Sequence, residues 1–327
     1  MATPALKALR GGFPEAQIFI VARPVIADLL RGLEKPEYGR LFDKVITFQK
    51  SSFSDRLALA KDLRQAGLDA FVLLTNSLWS AAIARMGRTG ACVGYNRDGR
   101  GWLLTERVAV PDAPSDSDRI PQIDYYLKLL DAIGCPPIDR RTVLAVAERD
   151  ATFANSLWHD VGWDVDAPAL VINNNAATQP DRMWPADRVL ELAKFVAESM
   201  DWKVLLHCGP GEREMANAIA SRAGDSRIAS MGQREMLPIG LSKAVLRKST
   251  MVVSSDSGPR HIAIACDRPV VSLFSATDPA WTKSYNLPEF TIQSPSDSDG
   301  QAKMSGIPLD QVIDAVKQVS SALPIAA

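Results

Sequence analysis

Short apolar runs alternate with longer amphipathic segments along almost the whole chain, and this alternation is the feature that most constrains the fold. Strands buried on both faces look continuously apolar, and regular strand–helix alternation is typical of a parallel sheet covered by helices. The sequence therefore predicts an α/β protein. The predicted strands are residues 18–22, 44–48, 70–74, 142–147, 169–173, 203–208, 251–255 and 270–274. The predicted helices include residues 55–66, 122–133, 186–200, 212–223, 261–266 and 309–323.

The number of strand–helix units indicates two domains. A chain of 327 residues with 46% hydrophobic composition can bury two medium-sized cores. The alternation breaks around residues 148–168, where polar and aromatic residues replace it. We therefore predict an N-terminal domain over residues 1–155 and a C-terminal domain over residues 156–327, with the last helix expected to pack back on the N-terminal domain.

Composition and charge exclude several classes of protein. With 23% charged residues and a net charge of −1, the chain lacks the field that would capture nucleic acid non-specifically. Its four cysteines are far apart in the sequence, so neither a zinc site nor a disulfide is expected, and a reducing cytoplasm is the default compartment. No apolar run approaches the ~18–20 residues that span a bilayer. The sequence predicts a cytoplasmic protein, in at most peripheral contact with the inner membrane face.

The strongest motif is the segment SSDSGPRH, residues 254–261, which follows an apolar strand and opens a helix. Gly258 allows the backbone to approach a ligand, and the amides at the start of a helix form an anion site. Asp256 beside them suits sugar hydroxyls, and His261 can donate a hydrogen bond to a phosphate or a hydroxyl. The alternative is that Asp256 or Ser257 only caps the helix and that His261 is a satisfied neighbour.

A second motif follows the strand at 169–173 and precedes a helix that starts near a tryptophan and a proline, residues 184–185. Thr178 could donate a hydroxyl there, and Arg182 could hold a diphosphate by paired hydrogen bonds. The alternative is a polar surface loop closed by Trp184.

Two more loops follow predicted strands. In the segment HCGPGER, residues 207–213, Glu212 could bind a ribose, although an acid in the first turn of a helix is also favoured by the helix dipole. The segment LFSATDP, residues 273–279, places Thr277 in a loop that is either ligand-facing or a plain turn. The carboxyl ends of parallel strands lie at one edge of a sheet, so these loops can converge on one ligand.

In this order, these segments resemble glycosyltransferase family 9, the heptosyltransferases. The resemblance covers nearly the whole chain. It includes the opening ATPALKALR followed by Phe-Pro, the Trp-Pro helix start, the GPGE turn and the LFSATDP segment. The DSGPRH segment is the most specific match. The closing KMSGI, residues 303–307, is similar to the family's Cys-Met-x-x-Ile segment with the cysteine lost.

The resemblance implies a GT-B fold, in which two Rossmann-like domains face each other across a cleft. It implies that the C-terminal domain holds a nucleotide-diphospho-sugar, expected to be ADP-heptose, and that the N-terminal domain holds a lipopolysaccharide-core or other glycan or glycolipid acceptor. It also implies inversion at the anomeric centre, with no metal ion and no cofactor.

The same resemblance assigns roles to individual residues. Asp256 would hold the sugar hydroxyls, and the backbone at Ser257 and Gly258 would bind the diphosphate. Arg182 stands where the family usually has a lysine that neutralises the leaving diphosphate. The predicted site residues are therefore Arg182, Asp256 and His261 as catalytic residues, and Thr178, Glu212, Ser257, Gly258 and Thr277 as nucleotide-sugar-binding residues.

The start of the chain departs from the family's pattern. A helix is predicted there, with Thr3 as its N-cap and Pro4 in its first turn. In the family, a strand and a Gly-Asp loop precede this helix, and that Asp is the expected general base. The expectation is a misassigned start, because the donor-site motifs are retained; the alternative is a catalytically impaired chain. Without its first strand, the N-terminal sheet would expose two edges.

Three other functions are compatible with parts of the sequence. An NAD-dependent oxidoreductase shares the α/β pattern, but no GxGxxG follows a first strand. A serine hydrolase would need Ser257, Asp256 and His261 in a relay, yet they are too close in sequence at one helix start and no GxSxG is present. A non-catalytic nucleotide-sugar-binding paralogue is the remaining alternative.

Overall fold

The computed structural model describes residues 1–49, 52–112, 120–174, 182–286, 289–296 and 300–323. The chain divides into two compact units. The first contains Met1–Thr142 and Ala280–Lys283, and the second contains Val143–Pro279 and Ser284–Ala327. The domain division predicted at residues 155/156 falls inside the helix Glu148–Asp160, all of which lies in the second unit.

Helices and strands alternate along most of the described chain. The helices are α1 (Thr3–Gly12), α2 (Pro24–Leu30), α3 (Phe53–Ala66), α4 (Leu78–Met86), α5 (Gln122–Asp131), α6 (Glu148–Asp160), α7 (Ala186–Met200), α8 (Arg213–Ala223), α9 (Ile239–Lys248), α10 (Gly258–Ala265) and α11 (Leu309–Ser321). The strands are β1 (Phe19–Ala22), β2 (Lys44–Thr47), β3 (Ala70–Leu73), β4 (Ala91–Tyr95), β5 (Glu106–Val108), β6 (Ala169–Asn173), β7 (Lys203–His207), β8 (Ile228–Ser230), β9 (Met251–Ser255), β10 (Val270–Phe274) and β11 (Phe290–Gln293).

In the first unit, the described strands form two separate parallel sheets, β1–β2 and β3–β4–β5. Both sheets pack against one apolar cluster on α3 and α4. Val21 of β1 and Phe71 of β3 lie against this cluster, whose buried members include Leu63 and Ile83. Most residues of β1 and β3 are only part-buried.

The second unit is built on one six-stranded parallel sheet in the order β11-β10-β9-β6-β7-β8. Every residue of β6, β9 and β10 is buried, which explains why these strands, apart from Asn173 at the end of β6, are runs of apolar or small residues. Helix α11 packs against α7, β10 and β11, so these contacts of the last helix lie within its own unit.

Most predicted elements are present with ends that agree within one or a few residues, but two predictions were wrong. Residues 142–147 form no strand; instead, the amide of Leu144 donates to the carbonyl of Ala265 at the end of α10, at 3.0 Å. Thr3 is the first residue of α1 rather than its N-cap, a position taken by Ala2 without a side-chain capping bond. Strands β4, β5, β8 and β11 were not predicted from the sequence.

Within the described residues, no helix has both the length and the apolar character needed to cross a bilayer.

Candidate functional site

The strand order of the second unit predicts where a ligand crevice should lie. From β6 the chain passes outward through β7 and β8, then crosses to β9 on the other side of β6 and continues through β10 to β11. The order therefore reverses between β6 and β9. In open α/β sheets, ligands bind outside the carboxyl ends of the strands at such a reversal.

The predicted site residues of the described chain lie on loops that leave this edge of the sheet. Asp256 and Ser257 follow β9, where α10 begins, while Thr277, which is part-buried, follows β10. Glu212 follows β7 and Arg182 precedes α7 in the connection from β6. Thr178 lies outside the described residues.

The start of α10 has an unusual cap. Ser257 is the N-cap residue, yet its side chain makes no capping hydrogen bond to the helix. Its Oγ accepts from the Nδ2 of Asn173 at 2.8 Å and donates to the carbonyl of Ser255 at 3.2 Å. The alternative that Ser257 serves only as a helix cap is therefore wrong. A helix start that lacks a side-chain cap presents its first amides, and the positive end of its dipole, to an anion.

Gly258 leaves room for a ligand at this turn. It is exposed, and a Cβ atom added to it would meet no heavy atom within 4 Å. The absence of a side chain at Gly258 therefore keeps open space beside the first turn of α10.

A buried arginine orients Asp256. The guanidinium of Arg260 is 1% exposed and pairs with Glu289, its Nε lying 2.5 Å from Oε1 and its Nη2 lying 2.9 Å from Oε2. Its Nη1 lies 3.5 Å from Oδ1 of Asp256. Arg260 was not predicted as a site residue from the sequence, where its signal is a charged residue inside the apolar helix sequence GPRHIAIA. Arg260 thus fixes the carboxylate of Asp256 at the mouth of the crevice.

His261 lies in the first turn of α10 and is part-buried. Burial, with a further contribution from the charge of Arg260, lowers the pKa of His261 to about 3. The imidazole is therefore neutral at pH 7, so it can offer a hydrogen bond but no positive charge.

A second histidine lies below the crevice. His207, at the end of β7, is opposite Asn173 in the β6–β7 register. Its Nδ1 is 3.1 Å from Oδ1 of Asn173, and its Nε2 is 2.9 Å from Oγ of Ser242. Burial lowers the pKa of His207 to about 4. This buried polar group was not predicted from the sequence.

His207 makes unfolding pH-dependent. Above pH 6.5 the histidine is neutral in both states, whereas below it the unfolded chain binds a proton that the folded chain does not, so stability is lost as the pH falls toward 4. Between pH 7.5 and pH 5 we expect His207 to cost about 2 kcal/mol of unfolding free energy, at 1.36 kcal/mol per pKa unit. In urea unfolding, the free energy of unfolding lost between these two pH values should be about 2 kcal/mol smaller for His207→Gln than for the unaltered protein. Equal losses in both proteins would show that His207 titrates normally.

Glu212 has a local structural role. It ends the short 3-10 turn Pro210–Glu212, and its Oε2 accepts from the amide of Gly209 at 3.1 Å. This contact agrees with the alternative that Glu212 is an acid favoured at a helix start. Binding of a ribose by Glu212 stays a prediction.

Trp184 anchors the segment that carries Arg182. The indole is 2% exposed and its Nε1 donates to the carbonyl of Ile307 at 3.0 Å. Asn174 holds the backbone of Trp184 from both sides, with its Nδ2 2.8 Å from the carbonyl and its Oδ1 2.7 Å from the amide. The part-buried Arg182 is therefore two residues from a fixed point.

The described residues contain no group of three or more His, Cys, Asp or Glu side chains arranged to hold a metal ion.

Comparison with known proteins gives consistent matches. The model of glycosyltransferase family 9 (heptosyltransferase) matches residues 56–303. Lipopolysaccharide heptosyltransferase 3 of Escherichia coli K12 is 24% identical, over 98% of this chain and 94% of its own length.

Solved structures match over almost the full length of the chain. A family 9 glycosyl transferase from Veillonella parvula has a TM-score of 0.82 at 18% identity, covering 97% of this chain and 92% of its own. The structure of Escherichia coli heptosyltransferase WaaC with ADP-2-deoxy-2-fluoro heptose has a TM-score of 0.71 at 18% identity, covering 97% and 95%. The predicted fold class, α/β with parallel sheets and of GT-B type, is confirmed.

Proposed function

Because this chain belongs to glycosyltransferase family 9, the heptosyltransferases, we propose that it transfers heptose from ADP-heptose to a lipopolysaccharide-core acceptor, with inversion and without a metal ion. The protein is a glycosyltransferase; the donor, the acceptor, the stereochemistry and the independence from metal ions are the proposal. The observation that carries the proposal is the start of α10, which lies at the reversal of strand order and whose N-cap side chain is turned away from the helix.

The names of similar proteins support the choice of donor and acceptor. The WaaC structure contains an ADP-heptose analogue, and the relative from Escherichia coli K12 is a lipopolysaccharide heptosyltransferase. An acceptor of this kind agrees with a protein that works on the cytoplasmic side, in at most peripheral contact with the inner membrane face.

In the proposed complex, the donor diphosphate lies at the amides of Ser257 and Gly258. Fixed amide dipoles and the Arg182 guanidinium stabilise the charge that grows on the leaving diphosphate. Asp256 accepts hydrogen bonds from the sugar hydroxyls, and neutral His261 donates one to a phosphate or a hydroxyl. The remaining contacts are Glu212 to the ribose, with Thr178 and Thr277 as hydroxyl donors.

Transfer requires the acceptor hydroxyl to attack the anomeric carbon from the face opposite the diphosphate. A carboxylate general base that removes the hydroxyl proton contributes ~10²–10⁴-fold. The second unit supplies the groups that bind the leaving diphosphate.

The test is a transfer assay with ADP-heptose and heptose-deficient lipopolysaccharide core. We expect release of ADP, an increase of one heptose in acceptor mass and an inverted anomeric linkage by NMR. Activity should persist in EDTA; loss that Mg²⁺ restores would contradict the metal-independent mechanism. Binding of ADP without transfer would instead identify a non-catalytic nucleotide-sugar binder, and preferential binding of NADH would overturn the proposal.

Arg182→Ala is expected to reduce kcat at least ~10-fold, because a positive charge that faces the leaving diphosphate acts mainly in the transition state. Arg182→Lys should retain more activity, since it keeps the charge. Steady-state kinetics check both variants. The control is Arg222→Ala, whose exposed side chain pairs with Asp187 on the surface, 2.8 Å away. Unchanged kcat in Arg182→Ala would remove this residue from the site.

Gly258→Ala is expected to raise the KM for the donor about tenfold without lowering the melting temperature. The new methyl meets only open space in the protein, but it occupies the path by which phosphates approach the helix amides. Gly211→Ala is the matched control, because its added Cβ also meets nothing within 4 Å while it lies outside this turn. An equal rise in KM in both variants would argue against a diphosphate at Gly258.

A further inference from the structure

Asn173 occupies a central place in the second unit, at the carboxyl end of β6. It is 1% exposed, and it faces His207 on one neighbouring strand and Ser254 on the other. Its Nδ2 donates to Oγ of Ser254 and to Oγ of Ser257, each at 2.8 Å. The side chain therefore links the core of the sheet to the N-cap of α10.

The partners fix the orientation of this amide. The hydroxyls of Ser254 and Ser257 both donate to the carbonyl of Ser255, at 2.8 and 3.2 Å, so towards Asn173 each oxygen acts as an acceptor. The group of Asn173 that faces the serines must then be the NH₂ group. Its Oδ1 is left to face His207.

The orientation of Asn173 also determines which nitrogen of His207 carries a proton. Because Oδ1 of Asn173 only accepts, Nδ1 of His207 carries the proton, and Nε2 accepts from the hydroxyl of Ser242. A neutral histidine is required for this arrangement, and burial supplies it. The hydrogen bonds thus run in one direction, from Ser242 through His207 and Asn173 to the N-cap serine.

This arrangement has a consequence for the start of α10. An N-cap serine ordinarily accepts from the amide two or three residues along the helix. Here the residue two along is Pro259, which has no amide, so only the amide of Arg260, three along, could donate to this side chain. Ser257 makes no such bond, since its oxygen is held toward β6 by Asn173.

We propose that Asn173 is a positioning residue for the donor diphosphate, because it holds the Ser257 hydroxyl away from α10 and so leaves the first amides of the helix to the ligand. The inference rests on the proposed function, since it assumes that a diphosphate binds at this turn. Without Asn173, the Ser257 side chain can rotate, cap the helix and compete with the phosphates.

The experiment measures dissociation constants for ADP and adenosine by calorimetry. Asn173→Ala should weaken ADP binding about tenfold and leave adenosine binding unchanged, because only ADP carries the diphosphate. The double variant Asn173→Ala/Ser257→Ala should recover most of the lost affinity, since the competing hydroxyl is gone. In kinetics, the loss should fall on the donor KM rather than on kcat.

Asn174 provides a matched control. It is the same residue type, buried at the next position, but it binds the backbone of Trp184 instead of Ser257. If Asn174→Ala weakens ADP binding, adding Ser257→Ala should not restore it. The effects of the two changes on the binding free energy should therefore be additive. If Asn173→Ala fails to fold, as judged by circular dichroism, Asn173→Ser replaces it, because serine keeps a polar partner for His207 but is too short to reach Ser257.

The outcomes separate two failures. If the unaltered protein does not bind ADP, the proposed function fails. If it binds ADP, but Asn173→Ala weakens adenosine equally or Ser257→Ala brings no recovery, then Asn173 only supports the fold and this inference is overturned.

Discussion

Asp256→Ala is expected to lower kcat/KM for the donor about 100-fold, which corresponds to about 3 kcal/mol of lost transition-state stabilisation. Hydrogen bonds to a charged group contribute about 1.5–3 kcal/mol each, and a carboxylate can accept from two sugar hydroxyls. Arg260 holds this carboxylate in place with Nη1 at 3.5 Å, so the ligand meets an acceptor that is already oriented.

The loss should be catalytic rather than structural. When Asp256 is removed, Arg260 keeps both of its bonds to Glu289, so its buried charge remains paired. Steady-state kinetics with donor titration measure the effect, and thermal unfolding checks the fold. Asp314→Asn, an exposed carboxylate on α11, is the matched control. A change of less than threefold in Asp256→Ala and Asp256→Asn would exclude this residue from sugar binding.

Asp150→Ala is expected to lower the free energy of unfolding of the second unit by about 3–5 kcal/mol. Asp150 on α6 is 1% exposed and Lys243 on α9 is fully buried, with 3.8 Å between Oδ2 and Nζ. Removing the carboxylate leaves a buried ammonium whose desolvation is no longer offset by this charge. This ion pair therefore links α6 to α9.

Urea unfolding followed by tryptophan fluorescence tests this expectation, because Trp158 is buried on the same helix. The double variant Asp150→Leu/Lys243→Met should recover most of the stability, since it removes both charges. Asp314→Ala breaks an exposed pair on α11 and should cost no more than about 1 kcal/mol. A similarly small cost for Asp150→Ala would show that the buried pair contributes little.

The central strands of the second unit were predictable because a strand buried on both faces requires apolar or small residues at consecutive positions. Strands β6, β9 and β10 are buried throughout and were predicted with their observed ends. Strand β11 has only one buried residue, Ile292, and β8 is three residues long, so neither has a pattern that could be recognised. The run at 142–147 is apolar enough for a strand, but pairing depends on neighbours that periodicity does not specify.

The sequence by itself determined the α/β class and the turn at Gly258, because a strand end, a glycine and a helix start are adjacent along the chain and act over a few residues. Only the tertiary structure decided which groups meet there: Arg260 pairs with Glu289, and Asn173 joins His207 to Ser257 across three strands. The physical reason is that these partners are tens of residues apart, so strand order and register, rather than any local preference, bring their side chains within hydrogen-bond distance.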